Sequence, residues 1–204
     1  MKSRINILIL FIGFNTIAQI KFEKGYFISN NGDKTEGLIK NLDWLDNPKY
    51  FFFKKDKNSI VLTKSISFVK EFKIYDENHF IRATVNIDRS STNPNHLSKK
   101  RTSNFNKETL FLKILVNGKA KLYSYQDNTF DGVRLFYNFK SNKPIKQLEY
   151  KKYQTKINGK IRIGTNNNYK KQLRDYLSCG YLKSNNISYN RKSIIKYFIA
   201  YNKC

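Results

Sequence analysis

Residues 109–125 read TLFLKILVNGKAKLYSY and carry the clearest secondary-structure signal in the chain. Two runs rich in aliphatic and aromatic residues flank Asn117-Gly118, a dipeptide that favours the tight turn of a β-hairpin. Apolar side chains fall on both faces of the first run, Thr109 to Val116, which is typical of a strand that is covered on both sides. We therefore predict that this hairpin is central in an antiparallel sheet.

The same alternation of short strand-like runs and turn residues extends from Phe22 to about Arg162. Asn30-Asn31-Gly32-Asp33 marks a second strong hairpin turn, between strands at 24–29 and 35–40. Weaker turn signals separate three further pairs of predicted strands, at 50–54 and 59–63, 67–75 and 79–87, and 133–139 and 145–153. No long helical pattern lies between these pairs, which argues against a parallel α/β sheet. The sequence predicts a mainly β fold of antiparallel hairpins, arranged as a meander, a sandwich or a small barrel.

Two segments depart from the β pattern. Residues 88–108 are too poor in apolar side chains to be buried and predict a long surface loop. Near the C-terminus the apolar spacing becomes helical, and we predict two short helices, the second starting at about Arg191 with Asn190 or Ser193 as its N-cap. Their predicted apolar faces consist of Tyr169, Leu173, Tyr176 and Leu177 in the first helix and Ile194, Ile195, Phe198 and Ile199 in the second.

The first eighteen residues have the order of a cleavable secretory signal peptide. Lys2 and Arg4 precede an apolar run at 5–14, and the small residues Thr16 and Ala18 precede a predicted cut before Gln19. The apolar run is well short of the ~20 residues that span a bilayer, which favours cleavage over a permanent anchor helix. We expect an exported protein in the periplasm, at the periphery of the outer membrane or secreted, with no transmembrane segment after cleavage.

The predicted domains are therefore a signal peptide at 1–18, an antiparallel β-domain at 19–163 and a helical annex at 164–204. The annex contains both cysteines of the chain, Cys179 and Cys204. Because exported proteins meet an oxidising compartment, we predict a disulfide that joins them. Two free thiols or a metal pair are the alternatives, and the lack of a nearby His or further Cys disfavours the metal.

The chain is strongly basic, with 39 Lys and Arg against 15 Asp and Glu and a formal net charge of +24. Such a charge favours polyanionic partners. However, the lysines are scattered along the predicted strands, and the abundance of Lys, Asn, Ile, Tyr and Phe is also what AT-rich codons supply, so a solvated basic surface competes with a dedicated site. The candidate patch for lipopolysaccharide phosphate, another anionic polysaccharide or nucleic acid is Lys99, Lys100 and Arg101.

Catalytic motifs are missing from the sequence. It contains no phosphate-binding glycine loop and only two histidines, His79 and His96, both in predicted turns or loops. Ser90 lies beside Asp88, but no Gly-x-Ser-x-Gly elbow holds it, and we interpret Asp88 and the following serines as capping the end of a strand. We predict no catalytic residue, no metal and no cofactor, and an unrecognised hydrolase is the third of our functional hypotheses.

Aromatic side chains provide the candidates for an interaction surface. Trp44, the sole tryptophan, lies in a connection between predicted hairpins, where it plugs one end of a β core or stacks on a ligand. Residues 50–53 read YFFF, and strand alternation buries only half of these rings. Trp44, Phe51 and Phe53 are the aromatic residues for which we predict contact with another protein.

Several short motifs look structural rather than catalytic: Gly25-Tyr26-Phe27-Ile28, Gly37-Leu38-Ile39-Lys40-Asn41, Ile87-Asp88-Arg89-Ser90-Ser91, Leu110-Phe111-Leu112-Lys113 and Tyr201-Asn202-Lys203-Cys204. Together they resemble an uncharacterised family of exported proteins from flavobacteria and other Bacteroidetes. In the longer members of that family a similar domain precedes an outer-membrane β-barrel. This chain stops at Cys204, so the resemblance implies a stand-alone or truncated version, and it transfers no functional residue.

The sequence leads to three functional hypotheses. The first is a non-enzymatic envelope domain that binds a protein partner or an outer-membrane component through a sheet surface or an open edge. The alternative is electrostatic binding of an anionic polymer, among which polysaccharide is favoured over nucleic acid. The hydrolase comes last.

Overall fold

The structure, a computed structural model, describes residues 21–140 and 142–204, so the predicted signal peptide lies outside the described residues. It contains twelve strands, a short 3-10 helix at Pro94–His96 and two α-helices. The strands are β1 (Phe22–Ser29), β2 (Lys34–Lys40), β3 (Tyr50–Lys54), β4 (Leu62–Ser65), β5 (Val69–Ile74), β6 (His79–Asp88), β7 (Phe105–Val116), β8 (Lys121–Tyr125), β9 (Arg134–Asn138), β10 (Lys146–Gln147), β11 (Lys151–Ile157) and β12 (Lys160–Asn166). The helices are α1 (Asn168–Tyr176) and α2 (Arg191–Lys203).

Ten strands form one antiparallel sheet in the order β10-β9-β8-β7-β6-β5-β1-β2-β3-β4, and β11 and β12 form a separate two-stranded sheet. Two meanders, β1 to β4 and β5 to β10, therefore lie side by side and are joined where β1 pairs with β5. The predicted mainly β fold of antiparallel hairpins with two C-terminal helices is confirmed, in its meander form.

Residues 145–153 do not form the single strand that their pattern predicts. The strand stops after Gln147 and resumes at Lys151. Between them, the backbone of Glu149 is bonded to α1: its carbonyl accepts from the N–H of Tyr169, and its N–H donates to the side chain of Gln172. The backbone groups of Glu149 are thus satisfied by a helix instead of a neighbouring strand, and β11 pairs with β12.

The first part of the large sheet is rolled. Strands β4 and β5 lie four places apart in the sheet, which would be about 19 Å if the sheet were flat. Only residues 66–68 connect them, and this segment spans at most about 15 Å. Gly25 and Gly37, which face each other in β1 and β2, permit the tight curvature, because a Cβ atom on either would collide with a backbone carbonyl of the next strand.

The interior of this first roll is packed with phenylalanine. Phe72 in β5 is fully buried and stacks on Phe51 and Phe80, with ring centroids 4.2 and 4.8 Å apart. Trp44 meets Phe72 and Phe80 edge-on, at 5.6 and 5.5 Å. The remaining buried members of this core are Phe27, Ile39, Phe53, Val69, Ile74 and Phe111.

Strands β6 to β10 roll in the opposite sense. In β7, Phe111 belongs to the first core, whereas its neighbours Leu110 and Leu112 belong to a second core on the other face. The roll brings β10 back towards β6, where the side-chain oxygen of Gln147 accepts a hydrogen bond from the N–H of Asp88 at 2.9 Å. The prediction that the Thr109–Val116 segment is a central strand with two buried faces is confirmed.

Helices α1 and α2 cover the outside of this second roll and form a third core with β8 and β9. Leu173, Ile194 and Phe198 are fully buried there. The predicted Asn190 cap is confirmed, since its side chain accepts from the N–H of Ser193. The apolar face of α2 is rotated from the predicted one: Tyr197 is buried, and Ile199 is 44% exposed.

The predicted disulfide is also supported. Cys179, which follows α1, and Cys204, at the end of α2, form a disulfide across a sequence separation of 25 residues. Within the described residues, no helix combines the length and the apolar character needed to cross a membrane.

Candidate functional site

Strand β6 has an open edge. It is ten residues long, and β5 pairs only with its first part, at His79, Phe80 and Ile81. From residue 82 to residue 88 only β7 pairs with it. Among the described residues no strand pairs with the other side of this segment, although β10 approaches it near Asp88.

The direction of the backbone groups along this edge follows from Asp88. Its N–H donates to Gln147 and its carbonyl accepts from Arg134, so both groups point away from β7. Because backbone groups alternate in direction along a strand, Thr84 and Asn86 present their N–H and C=O groups on the same side. In the described part of the chain, no backbone hydrogen bond from another segment occupies the groups of Thr84 or Asn86.

A cleft of about 280 Å³ runs along this edge and separates β6 from residues 144–147. Its apolar lining includes Phe105, Pro144 and Ile145. Phe105 is 41% exposed, which is unusual for a phenylalanine in a long strand and leaves an apolar surface at the mouth. Lys107, Lys146 and Glu149 supply the charged part of the lining.

One end of the open edge is fixed by a buried polar cluster around Asp88. The Asp88 carboxylate accepts from both the N–H and the hydroxyl of Ser90, and Lys151, only 3% exposed, places its ammonium 3.9 Å from the same carboxylate. Arg134 is 4% exposed and donates to the carbonyls of Asp88 and Ser90, at 2.7 and 2.5 Å. Burial lowers the pKa of this guanidinium from its usual value. The predicted capping role of Asp88 and Ser90 is confirmed.

Arg89 anchors the next residue of the same segment. Its guanidinium makes a two-pronged contact with Glu108, at 2.8 and 2.7 Å, and donates to Asp127 at 2.8 Å. Burial of Asp127 acts to raise the pKa of its carboxyl, but hydrogen bonds from Thr129, Tyr125 and Arg89 outweigh burial and hold this pKa well below its usual range. Arg89 thus joins the end of β6 to two acids in other segments of the chain.

The loop between β6 and β7 occupies residues 89–104, shorter than predicted, because β7 begins at Phe105. Lys99, Lys100 and Arg101 lie in it with exposed side chains. The loop is tied down by the buried side chain of Leu97 and by hydrogen bonds to the carbonyls of Ser98 and Arg101. The three basic residues are available to a polyanion, and their binding role stays a prediction.

The aromatic candidates divide between core and surface. Phe51 and Phe53 are 0% and 2% exposed in the first core, so the contact predicted for them with another protein is wrong: these two rings point inward, and Tyr50 and Phe52 point outward. Trp44 is half-buried against Phe72 and Phe80 and plugs the end of that core.

Metal-ligating side chains and Ser90 are the remaining chemical candidates. No group of three or more His, Cys, Asp or Glu side chains is placed to hold a metal ion in this part of the chain. The hydroxyl of Ser90 donates to the carboxylate of Asp88 at 2.5 Å.

The open edge itself is not visible in the sequence, since the predicted strands at 67–75 and 79–87 have equal lengths. The available signal is the alternation of Val85 and Ile87 with polar Thr84 and Asn86. This pattern indicates a strand but does not reveal which strands pair with it.

The chain matches no protein-family model, no curated protein and no solved structure. The geometry of the open edge is therefore the basis for a functional proposal.

Proposed function

We propose that this protein is a non-enzymatic interaction domain of the bacterial cell envelope, which binds an extended segment of a partner protein along the open edge of β6. The observation that carries the proposal is the row of free backbone groups at Thr84 and Asn86 beside the cleft. A peptide strand added to such an edge gains main-chain hydrogen bonds, and the pockets beside it select its side chains.

The cleft suggests the chemistry of the bound segment. Successive side chains of an added strand point to opposite faces. Phe105 and Lys107 lie two residues apart in β7 and share one face, so side chains of the added strand on that face would meet both an aromatic ring and an ammonium group. The open segment of five residues, 82–86, which stops short of the occupied groups of Asp88, is about 16 Å long. A segment of about five or six residues that combines apolar and acidic side chains fits this site.

The envelope location rests on the predicted signal peptide, and the Cys179–Cys204 disulfide supports it because such bonds persist in oxidising compartments. The envelope location is tested independently of peptide binding. Mass spectrometry of the protein from fractionated cells is expected to find a mature N-terminus at Gln19 and an oxidised cysteine pair outside the cytoplasm. Full-length protein with reduced thiols in the cytosolic fraction would refute this part of the proposal.

Binding is tested with two variants of Asn86, whose side chain is exposed. Asn86→Pro removes the outward N–H and places a ring on the open edge, while the ladder with β7 does not use this N–H. Asn86→Ala is the matched control, because it keeps the N–H. Both are expected to fold, which far-UV circular dichroism checks.

The probe is a library of eight-residue peptides composed of apolar and acidic residues, and binding is measured by fluorescence anisotropy. Selected peptides are expected to bind the wild type and Asn86→Ala equally and to lose at least about tenfold in affinity for Asn86→Pro. Amide hydrogen exchange at 82–88 is expected to slow when peptide is bound. Equal binding to Asn86→Pro, or failure to select any peptide, would refute strand addition at this edge.

A further inference from the structure

A second surface of the molecule combines lysines with aromatic rings. It is the outer face of the first roll, formed by the side chains that alternate with the phenylalanine core along β1, β2, β3 and β5. We call it the outer face. Its basic and aromatic members are Lys24, Lys34, Lys40, Lys54 and Lys73, and Phe22, Tyr26, Tyr50, Phe52 and Tyr75.

Lysine and aromatic side chains are paired across neighbouring strands of this face. The ammonium of Lys34 lies 4.3 Å from the centre of the Tyr26 ring, and that of Lys54 lies 5.1 Å from the centre of the Phe22 ring. Lys40 lies 5.4 Å from the Phe52 ring in the same way. Contacts of this kind hold an ammonium beside a ring, so that less side-chain freedom is lost when a ligand binds.

The acids of the outer face are already engaged. Glu36 forms an ion pair with Lys34 at 2.6 Å and accepts from the hydroxyl of Tyr75, and its hydrogen bond with Lys34 is the main reason that its pKa is lowered. Glu71 accepts from Tyr26 at 2.7 Å and contacts His79 at 2.9 Å, and His79 is the main cause of its lowered pKa.

The remaining lysines of the face are therefore left with positive charge for a ligand. Among the described residues, no carboxylate forms an ion pair with Lys24, Lys40, Lys54 or Lys73. Tyr50 is 49% exposed and packs edge-on against Phe52, with centroids 5.6 Å apart. Outward-facing aromatic rings thus lie next to ammonium groups that have no carboxylate partner.

We propose that the outer face binds an anionic polysaccharide. Sugar rings stack on Tyr50 and Phe52, and the carboxylate or phosphate groups of the polymer pair with Lys24, Lys40 and Lys54. Charge complementarity favours a polyanion, and the expected export of the protein favours a polysaccharide over single-stranded nucleic acid, which uses the same combination of stacking and positive charge. This face is separate from the open edge of β6.

The probe is polygalacturonate, a linear carboxylated polysaccharide, with neutral dextran for comparison, and binding is measured by isothermal titration calorimetry at low salt. The test variant is Lys24→Gln/Lys40→Gln/Lys54→Gln. The matched control, Lys156→Gln/Lys160→Gln/Arg162→Gln, loses the same charge from the exposed two-stranded sheet. The test variant is expected to weaken polygalacturonate binding by at least about tenfold and the control by less than about twofold.

Stacking is tested separately with Tyr50→Ala, which is expected to keep its fold because the ring is exposed, and to lose about fivefold to tenfold in affinity. Equal losses in the two lysine variants would show that net charge alone binds the polymer and would overturn the proposal. Tighter binding of oligothymidylate than of polygalacturonate, or equal binding of dextran, would also overturn it. The outer-face variant is expected to bind the strand-adding peptides normally, so the two proposals fail independently.

Discussion

Phe72→Ala tests the structure at its most tightly packed point. The Phe72 side chain is fully buried and lies between the rings of Phe51 and Phe80, with the edge of Phe111 at 5.1 Å. Truncation of a buried phenylalanine to alanine lowers the free energy of unfolding by about 3–5 kcal/mol. Because Phe72 also loses two stacked partners, we expect a loss of at least about 4 kcal/mol. Domains are usually stable by about 5–15 kcal/mol, so the variant is expected to fold at 25 °C.

The assay is equilibrium unfolding in urea. Trp44 is the sole tryptophan and contacts Phe72 edge-on, so its fluorescence reports directly on this core. With a denaturant slope of about 2 kcal/mol per molar, the loss of about 4 kcal/mol corresponds to a midpoint lower by about 2 M. The matched control is Phe68→Ala, because Phe68 is 71% exposed in the connection before β5 and its truncation is expected to change stability by less than about 0.5 kcal/mol.

The expected loss depends on the sheet rolling up so that β3 and β5 face each other across one core. If Phe72→Ala lowered the midpoint no more than Phe68→Ala, the stacked arrangement of Phe51, Phe72 and Phe80 would be wrong. An unchanged tryptophan emission spectrum in folded Phe72→Ala would argue against the contact with Trp44 in the same way.

Three further predictions concern the disulfide, the curvature and the acid response. Cys179→Ser/Cys204→Ser opens a loop of 25 residues and is expected to lower the free energy of unfolding in urea by up to about 3.5 kcal/mol. A reducing agent is expected to lower the urea midpoint of the wild type only, and a lower midpoint in the reduced double variant as well would contradict this. Gly25→Ala is expected to lower stability by about 1–3 kcal/mol in the same assay, because its Cβ would meet the Lys73 carbonyl, and a neutral result would contradict the close approach of β1 and β5. The lowered pKa of Asp127 means that its ionised form stabilises the fold above the ordinary Asp pKa of about 4, and that this contribution is lost as pH falls towards the lower pKa of the folded state. Stability measured from about pH 5 to pH 2 is therefore expected to fall more steeply in the wild type than in Asp127→Asn, and parallel curves would refute this role.

The open edge of β6 also bears on the behaviour of the protein when no partner is bound. Unpaired strand edges promote association between copies, and natural proteins protect them with charges, covering segments or short strands. In this protein Lys107 and Lys146 flank the edge, and the side chain of Gln147 accepts a hydrogen bond from the N–H of Asp88 at the end of the edge. These features limit self-pairing while leaving Thr84 and Asn86 accessible, as a binding edge requires.

Local features of the fold were predictable because they are set by neighbouring residues. Asn31-Gly32 and Asn117-Gly118 predict turns from the backbone preferences of two residues, and both lie between paired strands. The second connection is longer than the predicted tight turn, because Val116 pairs with Leu122. The cap at Asn190 and the burial of Leu173 and Phe198 likewise follow from the geometry of a single helix. With two cysteines in the chain, the pairing of Cys179 with Cys204 needed only an oxidising compartment.

Orientation and pairing over long distances depended on the tertiary structure. All four residues at 50–53 are aromatic, so alternation separates Phe51 and Phe53 from Tyr50 and Phe52 but does not reveal which pair faces inward. The roll of the sheet determines which pair faces inward. The tertiary structure also leaves β6 longer than its neighbour β5 and brings β10 beside the open edge of β6. The physical reason is that a strand pattern has a period of two residues, which constrains the two faces of a strand, whereas edges, curvature and clefts arise from contacts between segments far apart in the chain.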